Sequence, residues 1–287
     1  MFLMNIAIIL PIPDFAGPNI QKHLLEKFPF QTLKDTFENK TVYELKNEFH
    51  IIRLFSTDTW CVLCEHIDNQ IKQETQFVPD LLIFATTHRS EKGVPSFCVH
   101  PCGNWGEETK LGGKPKNLAP ANAPMMRHLI QHIKQACTLH HIDGHQITME
   151  ATHHGPELNT PTIFVEIGSE ETHWKDPAFG SMMADALMAA LATPVPDSKV
   201  AVGLGGPHYV PNFMAVMEKS DLAFGHLCPK HHLANLDLEM LKQAIAKSHA
   251  ELVVIDWKGV GGFKDQLIQM LDELKIPYKK VKEFEAL

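Results

Sequence analysis

Strand-length apolar runs separated by helical stripes constrain this 287-residue chain more than any other feature. The runs are Asn5–Leu10, His50–Phe55, Leu81–Thr86, Ser96–His100, Thr148–Ala151, Ile163–Ile167, Lys199–Leu204, Asp221–Phe224 and Glu251–Asp256. Between 177 and 191, Phe179, Met182, Met183, Ala186, Leu187, Ala190 and Leu191 recur at the three- and four-residue steps of one helix face. Asp176-Pro177 supplies a cap and a first-turn proline ahead of it. Met126, Ile130, Ile133 and Cys137 form a second stripe, and Leu241, Ala244 and Ile245 a third. Leu267, Met270, Leu271 and Leu274 form a fourth, ended by Ile276-Pro277. Strands alternating with amphipathic helices predict an α/β fold, its sheet mostly parallel or mixed and covered by helices on both faces. Ligands in such folds sit at the carboxyl ends of strands, so the loops there are the place to look for chemistry.

The length suits a single α/β domain over 1–287. The stretch 101–123, with Gly103, Gly106, Gly112, Gly113, Pro115 and Pro120, reads as a long functional loop. A net charge of −8 excludes the broad basic surface of a chain that wraps nucleic acid non-specifically. The apolar start lacks a basic lead and a cleavage site, and Pro11 and Pro13 end it after one strand length, so it reads as a buried first strand. No run reaches the ~18 apolar residues of a membrane span. The expectation is a soluble, cytoplasmic protein. Cys61-x-x-Cys64 and Cys98-x-x-x-Cys102 could join in a four-thiolate zinc site, but only the first has knuckle spacing. The six cysteines therefore read as free thiols.

Eighteen histidines are unusual, and their clustering is informative. Glu150-Ala151-Thr152-His153-His154-Gly155-Pro156 ends a strand in two histidines and a turn. The run Ile163–Ile167 carries Glu166 one residue before its end, followed by Gly168-Ser169. If the strands are neighbours, His153 or His154 meets Glu166 at one sheet edge. A carboxylate that fixes a histidine's tautomer is the usual construction of a general base, and the same set could hold zinc. Val202-Gly203-Leu204-Gly205-Gly206-Pro207-His208-Tyr209 opens a strand into a glycine turn whose N–H groups could form an oxyanion hole. His100 and His226 also follow strands and could join the pocket. Lys110, Lys114 and Lys116, and the turn Trp257-Lys258-Gly259, are candidate anion contacts. The plainer readings are surface histidines, a tight connection and solvated lysines. No G-x-S-x-G elbow occurs, which favours attack by activated water over an acyl-enzyme.

Five blocks in order, within about residues 80–262, resemble the archaeal and plant type of D-aminoacyl-tRNA deacylase. They are VHPCGNWG from Val99, LGGKPKNLAPANAPMM from Leu111, THHGPELNTPTIFVEIGSEETHW from Thr152, VGLGGPHYVPNF from Val202 and FGHLCPKHH from Phe224. The resemblance implies an α/β fold like that of phosphorylases and peptidyl-tRNA hydrolase. It also implies zinc dependence, and hydrolysis of the ester that joins a D-amino acid to the 3′ end of tRNA. The family's blocks fall on His153–Pro156, Glu166–Ser169, Trp174, Gly205, Gly206, His208, Tyr209, Gly225 and His226. Pro207 stands where another glycine is expected and removes one N–H from any oxyanion hole. Cys102 stands where a small hydroxyl residue is more usual.

Under this resemblance, His154 oriented by Glu166 activates water, or a zinc ion does so, held among His153, His154, Glu166, His208 and His226. His208, or the N–H groups of Gly205 and Gly206, meets the oxyanion. Gly155, Gly168, Ser169 and Tyr209 line the substrate, and the tRNA end arrives along Lys114, Lys116 and Lys258. The expected partner is tRNA charged with a D-amino acid, bound by a monomer or small homo-oligomer with no membrane involved. Two rivals stand beside this reading: another zinc-dependent hydrolase, such as a peptidyl-tRNA or amide hydrolase, and a tRNA-end binding protein without activity.

Overall fold

In the computed structural model, which describes residues 3–91 and 93–284, the strands divide between two main sheets. The elements run β1 (Met4–Pro11), α1 (Ala16–Lys27), β2 (Gln31–Phe37), β3 (Lys40–Lys46), β4 (His50–Thr57), α2 (Ile67–Thr75), β5 (Leu81–Arg89), β6 (Ser96–His100), β7 (Gly103–Asn104) and β8 (Asn117–Leu118). There follow α3 (Ala123–Leu139), β9 (Gln146–Met149), β10 (Thr162–Ser169), α4 (Glu171–Trp174), α5 (Pro177–Leu191), β11 (Lys199–Leu204), α6 (Pro211–Lys219), β12 (Leu222–Cys228), α7 (Leu238–Ser248), β13 (Leu252–Ile255), α8 (Lys264–Leu274) and β14 (Tyr278–Lys280).

The larger sheet has the order β2-β3-β4-β1-β5-β10-β6-β9. β4, β1, β5 and β10 run parallel, while β6 lies antiparallel to β10 and β2-β3-β4 is an antiparallel meander. The central strands are apolar on both faces because both are covered. Ile6, Ile8, Ile163 and Val165 join the side chains of α1, α3 and α5 in one core, and Ile9, Phe55, Phe84 and Phe164 form a second on the opposite face. The smaller sheet, β12-β11-β13-β14, is parallel throughout. α7 and α8 cover one of its faces, and Phe213 of α6 and Phe224 of β12 extend the first core across to the larger sheet.

Caps fix the helix starts. The Asp176 side chain accepts from Ala178 N at 2.8 Å, Asn122 from Met125 N at 3.1 Å and Asp237 from Met240 N at 2.9 Å. Such caps contribute about 1 kcal/mol each. β5 runs to Arg89, beyond the expected end at Thr86, because its pairing with β10 continues to Ser169↔Arg89. The hairpin β2–β3 has no apolar pattern to announce it, since its side chains are mostly exposed or half-buried. No helix among the described residues is long and apolar enough to cross a membrane.

Candidate active site

Strand alternation sends Ile163, Val165 and Ile167 of β10 into the helix-covered core and Phe164 and Glu166 to the other face. Phe84 and Phe164 stack there at 4.6 Å. The next positions on that face, Thr86, His88 and Glu166, are polar. Glu166 therefore sits inside a strand whose eight residues are all buried, and not one residue before its end. Thr86 Oγ1 donates to Glu166 Oε1 at 3.0 Å. His88 Nδ1 lies 3.5 Å from Oε2, and His100 Nε2 lies 3.6 Å from Oε1.

A second carboxylate completes the group. Glu150, the residue after β9, has no exposed side-chain surface. His208 Nε2 donates to its Oε2 at 2.8 Å, His88 Nδ1 lies 3.0 Å from Oε1, and His153 Nε2 lies 3.6 Å from Oε2. Backbone bonds bring the two sheets together here: Ala151 N donates to His208 O at 2.8 Å and Thr152 N to Leu227 O at 3.0 Å. The result is a pocket of about 500 Å³ whose walls include Cys61, His88, Glu150, His154, His208 and Tyr209.

Burial disfavours charge on His88, but the hydrogen bonds and charges of Glu150 and Glu166 outweigh it and push the imidazolium up to about 11. Burial opposes the two carboxylates as well. The surrounding histidines nevertheless pull Glu166 down to about 2 and hold Glu150 well below the usual carboxylate range. Burial and neighbouring imidazoles have the opposite effect on His153 and His154. They leave His153 far below the ordinary histidine value and bring His154 to about 4, so both are neutral. Burial likewise keeps the Cys98 thiol protonated.

Three histidines share a further pattern. The Nδ1 of His100 faces Pro101 O at 3.1 Å, that of His153 faces Ala151 O at 2.8 Å, and that of His154 faces Gly155 O at 2.5 Å. A carbonyl only accepts, so each Nδ1 carries a proton. His153 and His154 are neutral and present a lone pair at Nε2. On His100 burial opposes charge, but Glu166 outweighs it and favours a second proton at Nε2, which a metal would displace. The three rings offer one nitrogen each within 4.8 Å of one another, and the buried His100 Nε2 has no hydrogen-bond partner. Backbone carbonyls that fix the tautomer of converging imidazoles are the usual outer support of a metal site. Glu150, His153 and His208 meet the same distance criterion, as do His88, Cys98 and Glu150. The donors thus fit a first-row divalent ion.

The structure rearranges several sequence expectations. His153, His154, Glu166, His208 and Tyr209 do gather, but His154 makes no ion pair with Glu166; His88 and His100 do. His226 is elsewhere. Its Nδ1 bonds Thr152 Oγ1 at 3.1 Å and its Nε2 bonds Ala119 O at 2.9 Å, which leaves no nitrogen for a metal. The glycine turn forms no oxyanion hole, because Gly205 N donates to Cys228 O at 2.8 Å and Gly206 N to Gly259 O at 3.3 Å. Gly155 N is likewise taken by Leu111 O, and Ser169 N by His173 Nδ1. Gly168 packs closely against Ser96 and His88. Lys114 and Lys116 are tied to Glu157 and Asp237, and Lys258 lines a different cavity, beside Gly206 and Asp256. Glu150 and His88 were given no role from sequence. The available signals were a carboxylate just after a strand and a histidine two residues past an apolar run.

The family model of the D-aminoacyl-tRNA deacylases matches residues 75–279. The chain belongs to that family. It is 34% identical over 282 residues to the D-aminoacyl-tRNA deacylase of Methanosarcina acetivorans, covering 97% of this chain and 93% of the relative. It is 34% identical over 271 residues to that of Pyrococcus furiosus, covering 93% and 96%. The crystal structure of a conserved protein of unknown function, AF0625, superposes with a TM-score of 0.88 at 30% identity, over 99% of this chain and 97% of that one. This D-aminoacyl-tRNA deacylase is therefore a hydrolase acting on ester bonds, with tRNA as the carrier of its substrate.

Proposed function

We propose that the ester of D-aminoacyl-tRNA is hydrolysed beside His208, with the Glu150–His208 pair moving the proton. The observation that carries this reading is the 2.8 Å bond from His208 Nε2 to the buried Glu150, on a histidine that is itself one-third exposed to the pocket. Glu150 accepts the Nε2 proton, so His208 Nδ1 keeps its lone pair. That nitrogen takes a proton from the attacking water, and Glu150 stabilises the imidazolium formed. His208 then returns the proton to the ribose oxygen as it leaves.

Tyr209 meets the charge that develops on the carbonyl oxygen. His88 Nε2 lies 3.1 Å from the Tyr209 hydroxyl. His88 is cationic and donates there, so the tyrosine proton is free to point into the pocket. This donor replaces the Gly205 and Gly206 N–H groups. His88 also offsets part of the charge of the two carboxylates between which it lies. His100, His153 and His154 would hold zinc, which when bound supplies Lewis-acid polarisation. The two sheets act as one hydrolytic unit over 1–287, since the loop after β11 brings His208 to a carboxylate following β9. Preference for the D-amino acid follows from the pocket walls around its side chain.

The test is release of tyrosine from D- and L-tyrosyl-tRNA by the purified protein, with and without a chelator. D-selective release, lost on chelation and restored by zinc, is the expected result. Release of neither ester, or of both at equal rates, overturns the reading.

A further inference from the structure

A second cavity shares a wall with the catalytic pocket. It encloses about 450 Å³ and has Cys61, Val62, Thr87, Arg89 and Leu111 in common with it. Of the eight large apolar side chains that stand exposed among the described residues, four line this one cavity: Phe15, Trp60, Leu63 and Leu111. Such a concentration marks a binding surface, whereas single exposed hydrophobics are ordinary.

Cations are interleaved with these rings. Arg89 lies 5.2 Å over Trp174, and Trp174 stacks on Phe15 at 6.5 Å. Lys175 Nζ sits 3.9 Å over the other ring of that stack, Phe15, and Lys110 lines the same cavity. Lys175 and Lys110 are paired with Glu171 and Glu108, whereas Arg89 makes no ion pair among the described residues. Exposed aromatics beside a guanidinium free of carboxylate partners are how proteins hold unpaired nucleotides, by stacking bases and tracking phosphates. The expected route along Lys114 and Lys116 has neither an arginine free of carboxylates nor an exposed aromatic beside it.

We infer that the Phe15–Trp60 cleft is the stacking platform for the unpaired nucleotides at the 3′ end of the tRNA substrate. The identity of the occupant rests on the hydrolysis reading: the scissile ester is on the terminal ribose, so the nucleotides beside it must lie against a wall of the catalytic pocket. Trp60 and Phe15 are half-exposed and lie on loop and helix-start positions, so their replacement leaves the two cores intact.

The experiment measures binding of a labelled single-stranded ribo-oligonucleotide ending in CCA to the full chain by fluorescence anisotropy, at several salt concentrations. Trp60→Ala and Phe15→Ala are each expected to weaken binding at least about fivefold. Trp60→Phe keeps the ring and stays within about twofold of wild type, as does Leu139→Ala, an exposed residue at the far end of α3. With D-tyrosyl-tRNA, Trp60→Ala raises KM by the same factor and leaves kcat within about twofold. No RNA binding by the wild type, equal binding by Trp60→Ala, or a dimer that needs Trp60 overturns the inference. RNA binding that depends on Trp60, in a protein that hydrolyses neither ester, leaves the platform standing and removes the hydrolysis reading instead.

Discussion

Two turns of this molecule look alike in sequence and do different work. Thr152–Pro156 follows β9, and Gly205–His208 follows β11; each pairs glycine and proline with histidine after a strand that ends in buried residues. In the first, the histidine rings spend one nitrogen on a backbone carbonyl and keep the other. In the second, the backbone N–H groups are consumed by neighbouring strands and turns. The glycines are there for packing: a Cβ at Gly205, where φ is +96°, would sit 2.6 Å from Val260. Only the last residue of the second turn, His208, reaches across to the first sheet and joins the chemistry. A glycine-rich turn after a strand is thus an oxyanion hole only if its N–H groups are free, and the mechanism proposed above gives that function to Tyr209 instead.

The sharpest way to break this contrast is Tyr209→Phe, which removes the hydroxyl facing His88. We predict a fall in kcat of about 10²–10³ for D-tyrosyl-tRNA, read by initial rates; an unchanged kcat would return the oxyanion role to the backbone. His226→Ala tests the same contrast from the second sheet. It leaves Ala119 O without its buried partner and Thr152 Oγ1 with only the Leu227 N–H, and should cost about 1–3 kcal/mol in a denaturant titration, with kcat untouched. Burial holds His226 at about 3, below its ordinary 6.5. The unfolded chain therefore takes up that proton first as pH falls. The stability contributed by the neutral ring is complete above about 6.5 and drains toward 3. His226→Ala should flatten that limb of a stability-against-pH curve. The smallest effect belongs to Lys114→Ala, whose ammonium is held by Glu157. KM should change by less than about twofold, as expected for an exposed ion pair, and a tenfold rise would restore the lysine loop as the route of the tRNA end.

The strands and long helices were readable because burial on both faces writes itself as continuous apolar runs and burial on one face as a helical stripe. Ser96–His100 and Lys199–Leu204 match their strands to the residue. The division into two sheets was not readable, since each strand run has the same composition in either. At the site, His153, His154, Glu166 and His208 stand out as polar groups at or within apolar strands. Their partners do not follow from order along the chain. Glu166 faces His88 and His100 because of strand register, and Glu150 receives His208 because the second sheet docks there. His88 escaped notice because β5 continues through polar residues that an apolar pattern does not reach.

The measurement that bears most directly on the account is single-turnover hydrolysis of D-tyrosyl-tRNA by His208→Ala, by Glu150→Gln and by the double variant, each with unchanged circular dichroism. A base and its orienting carboxylate act as a unit. Each single change should slow the step by about 10²–10⁴, and the double variant should be no slower than the worse single one. Either single variant cleaving the ester at the wild-type rate would contradict the assignment of proton transfer to Glu150 and His208.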